Sequence, residues 1–142
     1  MNKKKIYRIL DANLNRAREG LRVVEDIARF YFNDEKLSKR FKSLRHRITK
    51  IARESFESDK LLLHRDSQKD VGAKGMGREE RKRGKLKGIV DANLKRSEEA
   101  LRVLEEFGKL VKGECGERFK KIRFKVYDLE KEIGQRIERS TD

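Results

Sequence analysis

The densest group of chemistry-bearing side chains lies in one ten-residue run, Arg65-Asp-Ser-Gln-Lys-Asp-Val-Gly-Ala-Lys74. Arg65 and Lys74 can neutralise phosphate oxygens. Gly72 lets backbone amides approach an anion, and Asp66 and Asp70 can hold Mg²⁺ or accept a proton. That inventory suits phosphoryl chemistry, in which positioning and charge neutralisation do most of the work. The chain has neither the Gly-x-x-x-x-Gly-Lys-Ser/Thr phosphate loop nor a kinase-type glycine-rich loop. His64, just before the run, and His46, within Leu44-Arg-His-Arg47, read as structural.

A second pattern flanks this run. Asp11-Ala-Asn-Leu-Asn-Arg-Ala-Arg-Glu-Gly-Leu-Arg-Val-Val-Glu-Asp26 recurs as Asp91-Ala-Asn-Leu-Lys-Arg-Ser-Glu-Glu-Ala-Leu-Arg-Val-Leu-Glu-Glu106. On a helical wheel Asn13, Arg16 and Gly20 share one shoulder of the apolar stripe, and Asn93, Arg96 and Ala100 repeat the arrangement. An Asn and an Arg so placed need hydrogen-bond partners, which either a ligand or a neighbouring helix can supply. Gly20 in a helix interior suggests close approach of another element. Glu19, Arg22 and Glu25, like Glu99, Arg102 and Glu105, are spaced for ion pairs within one helix. Asp11 and Asp91 read either as N-caps or as acidic ligands at a helix-bundle end.

The elements that position these residues follow from apolar spacing. Residues 5–32 predict a helix with Leu14, Ala17, Leu21, Val24 and Ala28 inward and Arg18, Arg22, Asp26 and Arg29 opposite. Residues 35–58 predict a second, with Leu37, Phe41, Leu44, Ile48, Ile51 and Phe56 inward, capped by Asp34. Within 59–84, His64 to Gly77 has no helical period, and a basic run, Arg78 to Lys87, then leads into the next helix; so long a loop is functional or disordered. Residues 86–112, with Leu94, Leu101, Leu104 and Leu110 inward and Gly113 as the stop, predict a third helix. Residues 115–138 predict a fourth, with Phe119, Ile122, Val126, Leu129 and Ile133 inward. Arg40-Phe-Lys-Ser-Leu-Arg45 is echoed by Arg118-Phe-Lys-Lys-Ile-Arg123, two residues closer to its partner repeat. The expected architecture is one all-α domain over 1–142. Two helical hairpins, 5–58 and 85–138, close as a pseudo-two-fold four-helix bundle, and the 59–84 loop, ordered or semi-ordered, connects them.

Composition limits the function. No apolar run is long enough to span a membrane, and the Met-Asn-Lys-Lys-Lys-Ile start lacks a signal peptide's apolar segment, so the chain reads as cytoplasmic. The single cysteine, Cys115, excludes an internal disulfide and reads as an incidental thiol. A content of 45% charged residues with no proline fits helices and is compatible with a thermophile. The net charge of +14 favours anionic partners. Lys and Arg alternate with Glu outside 78–87, and Phe30, Tyr31 and Phe32 read as core at a helix end, so nucleic acid is not the expected partner. Phe32, Phe56 and Tyr127, read as exposed, leave room for a homodimer.

Arg8-Ile-Leu-Asp-Ala-Asn-Leu-Asn-Arg-Ala-Arg-Glu-Gly-Leu-Arg-Val-Val-Glu-Asp26 resembles the opening of the monofunctional hydroxymethylpyrimidine phosphate kinase family, the all-helical type often fused in front of thiamine phosphate synthase. Leu44-Arg-His46, His64 to Gly72, Ala100 to Leu110 and Ile122 to Glu130 extend the resemblance in order. The third block is similar to an Arg-Asp-Thr-x-x-Asp-Val/Pro-Gly-Thr loop, with Ser67 and Ala73 in place of the two threonines. The resemblance implies transfer of the ATP γ-phosphoryl group to 4-amino-5-hydroxymethyl-2-methylpyrimidine phosphate, with Mg²⁺. Arg65, Lys74 and Gly72 would then meet phosphates, and Asp66 and Asp70 would serve Mg²⁺ or the attacking hydroxyl. Asn13, Arg16, Asn93 and Arg96 would line the groove for the pyrimidine phosphate. The roughly 200 further residues of a synthase barrel are not expected within this chain, so a synthase would be a separate partner. The competing expectation is a non-catalytic basic helical module that docks on such a synthase or binds nucleic acid.

Overall fold

The structure is a computed structural model and describes residues 1–75 and 85–140. Helix α1 spans Lys3–Asp26. Asn2 starts it by accepting the Lys5 N–H at 3.3 Å. Leu10, Leu14, Ala17, Leu21 and Val24 form its buried stripe, which Ala28 continues past the helix end. At Asp26 the chain passes into a five-residue π turn, Ile27–Tyr31, in which the Phe32 N–H donates to the Ile27 carbonyl at 3.1 Å. A π turn takes up extra residues without breaking a helix.

Helix α2 spans Glu35–Ser55 and is capped by Asp34, whose Oδ1 accepts the Leu37 N–H at 2.9 Å. Its six expected inward residues are all buried. The short helix α3, Ser58–Leu63, occupies the start of the segment expected to be loop. It forms because Leu61 packs on the core and the Glu57 N–H donates to Tyr7 Oη at 3.1 Å. Helix α4 spans Leu86–Gly108 and α5 spans Cys115–Arg139. Helix α1 packs on α2 and α4, and α5 packs on α4 and α2, around one apolar core. No strand occurs among the described residues, and none of the described helices is long and apolar enough to cross a membrane.

Several expectations need correction. Helix α4 ends at Gly108 rather than 112, because the Val111 and Lys112 N–H groups fold back onto the Gly108 carbonyl. Leu110 is therefore exposed. Phe30 and Tyr31 are exposed as well; the π turn directs only Phe32 inward, beneath the Arg136 guanidinium. Phe32 and Phe56 are buried, so of the aromatics offered for a homodimer only Tyr127 is exposed. Arg18 is half-buried against α2, where it donates to Thr49 Oγ1 at 3.3 Å, and does not lie on the outer face. His46 is exposed on α2. Positions 78–84 of the expected basic run lie outside the described residues.

The repeated polar identities have a packing explanation that intrahelical spacing missed. Arg45 on α2 grips the buried Glu25 of α1 through Nε (2.9 Å) and Nη2 (3.3 Å). Arg123 on α5 grips the buried Glu105 of α4 in the same way, with Nη2 at 3.0 Å. Glu25 and Arg45 are 20 residues apart and Glu105 and Arg123 are 18 apart. The difference of two arises inside the second helix of each hairpin, where Arg45 is the eleventh residue of α2 and Arg123 the ninth of α5.

Candidate functional site

Tyr7 organises one end of the molecule. Its ring meets Phe56 and His64 edge-on, each with centroids 6.4 Å apart. His64 is thus a packing residue that fixes where the chain leaves α3. The next residue, Arg65, reaches back to α1 and donates through Nε and Nη2 to the two oxygens of Asp11, both at 2.7 Å. This is a bidentate pair, the strong form of charge-assisted hydrogen bond. Hydrogen bonding to Asp11 raises the Arg65 pKa, so the guanidinium stays charged. Asp11 is neither a cap nor an end-of-bundle ligand; it lies well inside α1 and ties the 64–75 segment to it. Its counterpart Asp91 is half-exposed and pairs with Lys87 in the preceding turn of its own helix, at 2.6 Å.

Between α1 and the tied segment lies a groove of about 500 Å³. Lys5, Arg8, Asn13, Asn15 and Arg16 line it from α1, with Ile9 and Ala12 as an apolar strip. Arg65, Asp66, Ser67 and Asp70 line it from the other side. Arg8 Nη2 lies 3.5 Å from the Asp66 carbonyl, and Arg16 is exposed. The wall is shaped by two small turns: Asp66 Oδ1 accepts the Lys69 N–H at 3.1 Å and Asp70 Oδ1 accepts the Gly72 N–H at 2.9 Å. The groove thus combines four cationic side chains, an apolar strip and several carboxylates and amides. It can hold a small anion bearing a flat ring.

Asn13, Arg16, Arg65, Asp66 and Asp70 come together in this groove. Gly72 and Lys74 follow it in sequence but do not line it, and Ala73, where a hydroxyl is lost, is exposed outside it. Asn93 and Arg96 do not line it either. Ser97 Oγ donates to the Ala17 carbonyl at 3.0 Å, and Gly20 faces Asn93, so α4 runs against α1 and carries its repeat residues towards the other end of the contact. Both asparagines donate Nδ2 to the carbonyl four residues back, Ile9 or Ile89, at 2.8 Å. Each amide is half satisfied by its own helix, so the duplication of these asparagines follows from local structure. Sequence reasoning passed over Lys5, Arg8 and Asn15. The available signal was spacing: Lys5, Arg8, Ala12 and Arg16 recur at three and four and so share a face.

Among the described residues no group of three His, Cys, Asp or Glu side chains converges as a cation site. Asp66 and Asp70 each give one oxygen to a backbone N–H and, among the described residues, keep the other free. That donor set suits a Mg²⁺ ion that enters on a ligand's phosphates, and does not make a dedicated cage.

The ThiD2 family model matches residues 8–132. The chain belongs to the ThiD2 family. It is 42% identical over 125 residues to a thiamine-phosphate synthase of Nostoc sp. (strain PCC 7120), covering 88% of this chain and 34% of that protein. It is 45% identical to a thiamine-phosphate synthase of Synechocystis sp. (strain PCC 6803), covering 88% and 35%, and 38% identical to one of Rhodopirellula baltica, covering 90% and 34%. The chain therefore spans about a third of the length of these relatives. No solved structure matches it. These names correct the activity implied by the resemblance. The relatives are named as a synthase, a different enzyme from a hydroxymethylpyrimidine phosphate kinase, and the kinase assignment has no support among them.

Proposed function

We propose that this chain is the ligand-holding helical part of thiamine-phosphate synthesis, and that its groove binds a small pyrimidine phosphate. The observation that carries the reading is the convergence of Lys5, Arg8 and Arg16 from one face of α1 with Arg65 across the groove. Arg65 is pre-positioned by Asp11, so little side-chain order is lost when a phosphate arrives. The phosphate would sit among Arg8, Arg16 and Lys5. The ring would lie on Ile9 and Ala12, with Asn15 and the carboxylates of Asp66 and Asp70 as hydrogen-bonding partners for ring amino and hydroxyl groups. Mg²⁺, entering with phosphate, would be held through the free oxygens of Asp66 and Asp70 and would add charge neutralisation. A thiamine-phosphate synthase, on a separate chain or joined to this one, is the proposed working partner; the relatives' additional length supports that pairing.

The architecture belongs to the same reading. We take it as two hairpins related by a pseudo-two-fold axis within one domain, because the Glu25–Arg45 and Glu105–Arg123 grips and the Asn13 and Asn93 back-bonds recur at matched positions. The site itself breaks that symmetry, since Asp11 holds Arg65 across the groove whereas Asp91 pairs with Lys87 in its own helix.

Isothermal titration with hydroxymethylpyrimidine phosphate tests the proposal. One ligand should bind per chain, and Arg8→Gln and Arg16→Gln should each weaken binding about tenfold, the loss of one charge-assisted contact. The exposed Lys121→Gln, on α5, should leave it unchanged. Absence of saturable binding, or equal weakening by all three substitutions, would refute it.

A further inference from the structure

The Arg65–Asp11 pair has a second side. Behind it, among α1, α2 and α3, lies a separate cavity of about 290 Å³. Arg18, Arg53 and Arg65 line it, with the hydroxyls of Thr49 and Ser58 and an apolar wall that includes Leu61. Asp11 is the one carboxylate in this lining, and both its oxygens are taken by Arg65. Three guanidiniums meet one carboxylate in the lining, and Glu19 acts on Arg18 and Arg65 from nearby, so the surroundings of the cavity stay net positive by about one charge. Arg18 is held in place: Nη1 donates to Thr49 Oγ1 at 3.3 Å and Nη2 to Asn15 Oδ1 at 3.0 Å. Arg18 is half-buried while Arg53 and Arg65 reach the cavity from its exposed side, and like charges gathered around one space favour an anion that offsets them. A phosphoryl group is attracted by this net positive charge, and planar arginines with hydroxyls match its oxygens. At about 30 Å³ per water the volume corresponds to roughly ten waters, which is ample for a phosphate or a diphosphate.

We infer that this cavity is a second anion site, taking a phosphate or diphosphate group, separated from the groove ligand by the Arg65–Asp11 wall. Arg65 lines both spaces, so the two ligands share one guanidinium and their binding is coupled. The inference stands on the cavity's own residues and does not require the groove to be occupied.

Titration of the full chain with inorganic phosphate and, separately, with pyrophosphate decides it. Saturable one-to-one binding of at least one anion is expected, and the tighter of the two identifies whether one or two phosphoryl groups are taken. Arg53→Gln and Arg18→Gln should each weaken it tenfold or more, while Lys121→Gln on α5 should change it less than twofold. Arg53 is exposed, so its replacement leaves the fold intact even where Arg18→Gln does not. Binding lost on Arg16→Gln but kept in Arg53→Gln would place the anion in the groove and overturn the inference. Equal loss in every variant would reduce it to diffuse attraction, and no saturable binding would also overturn it. Loss of the pyrimidine phosphate titration alone would count against the groove and leave this site standing, and loss of the anion titration alone would do the reverse.

Discussion

Asp11 has 9% of its side chain exposed and depends on one partner, Arg65, whose own side chain is 44% exposed. Removing Arg65 would leave a nearly buried carboxylate unpaired. A fully buried pair broken in this way costs about 3–5 kcal/mol; with one partner half in water, about 1–3 kcal/mol is expected for Arg65→Gln in urea unfolding. Asp11→Asn combined with Arg65→Gln should recover part of that loss, since the charge left behind is gone; a double variant no more stable than Arg65→Gln would argue against the pairing. The sequence made Arg65 visible as a cation but pointed it at a ligand. Its actual partner lies 54 residues away, and no local pattern announces a contact of that separation. The same holds for Glu25 and Glu105, which local spacing assigned to their own helices but which reach across to α2 and α5. Arg45→Ala and Arg123→Ala should each cost about 3 kcal/mol by stranding those glutamates. If both prove neutral in denaturant unfolding, the repeated identities have no role in stability.

Helix contact explains why the repeat carries Gly at 20. An ideal Cβ there would lie 2.6 Å from the Asn93 carbonyl oxygen and would also overlap Ser97 Oγ. The carbonyl is backbone and cannot rotate away, so the α1–α4 crossing would have to open. Alanine gains up to about 1 kcal/mol in helix propensity, yet overpacking typically costs 1–3 kcal/mol, so Gly20→Ala should lower the melting temperature. Gly134 in α5 has nothing within 4 Å of its ideal Cβ. There the propensity term stands alone, and Gly134→Ala should raise the melting temperature. The opposite pair of signs would mean that the α1–α4 crossing is looser than described. Most of this level was legible: the apolar stripes gave all four long helices, and Gly20 signalled a close approach. What local sequence missed was helix α3 and the π turn. Their short apolar stretches become ordered only through Tyr7, Phe56 and the core, a tertiary effect.

For the molecule as a whole, one group stands out against the basic background. Glu98 on α4 is buried with Oε2 unpartnered, and its pKa is pushed up to about 7 by burial and by the neighbouring Glu130 on α5. Lys95, 3.7 Å from Glu98 and 3.8 Å from Glu130, opposes the shift. A folded-state value above the ordinary 4.5 means that folding takes up a proton in between. This contribution to stability is complete below about pH 4.5 and is lost as pH rises through about 7. Wild type should therefore lose up to about 2–3 kcal/mol from this group between pH 5 and 8. Glu98→Gln should not show that component, and identical pH profiles for the two proteins would contradict it. At this scale the sequence disclosed an all-helical chain, its basic charge and the position of its groove-forming segment. It did not disclose that the two repeats contribute unequally, because that asymmetry arises from α3 and Arg65 closing over only one copy. The most direct test of the central claim is amide chemical-shift mapping during titration with hydroxymethylpyrimidine phosphate. The account predicts saturating shifts concentrated at residues 5–16 and 64–72, with the matching positions 85–96 little affected. Shifts spread over the basic faces of α2 and α5, or equal shifts in both repeats, would contradict it.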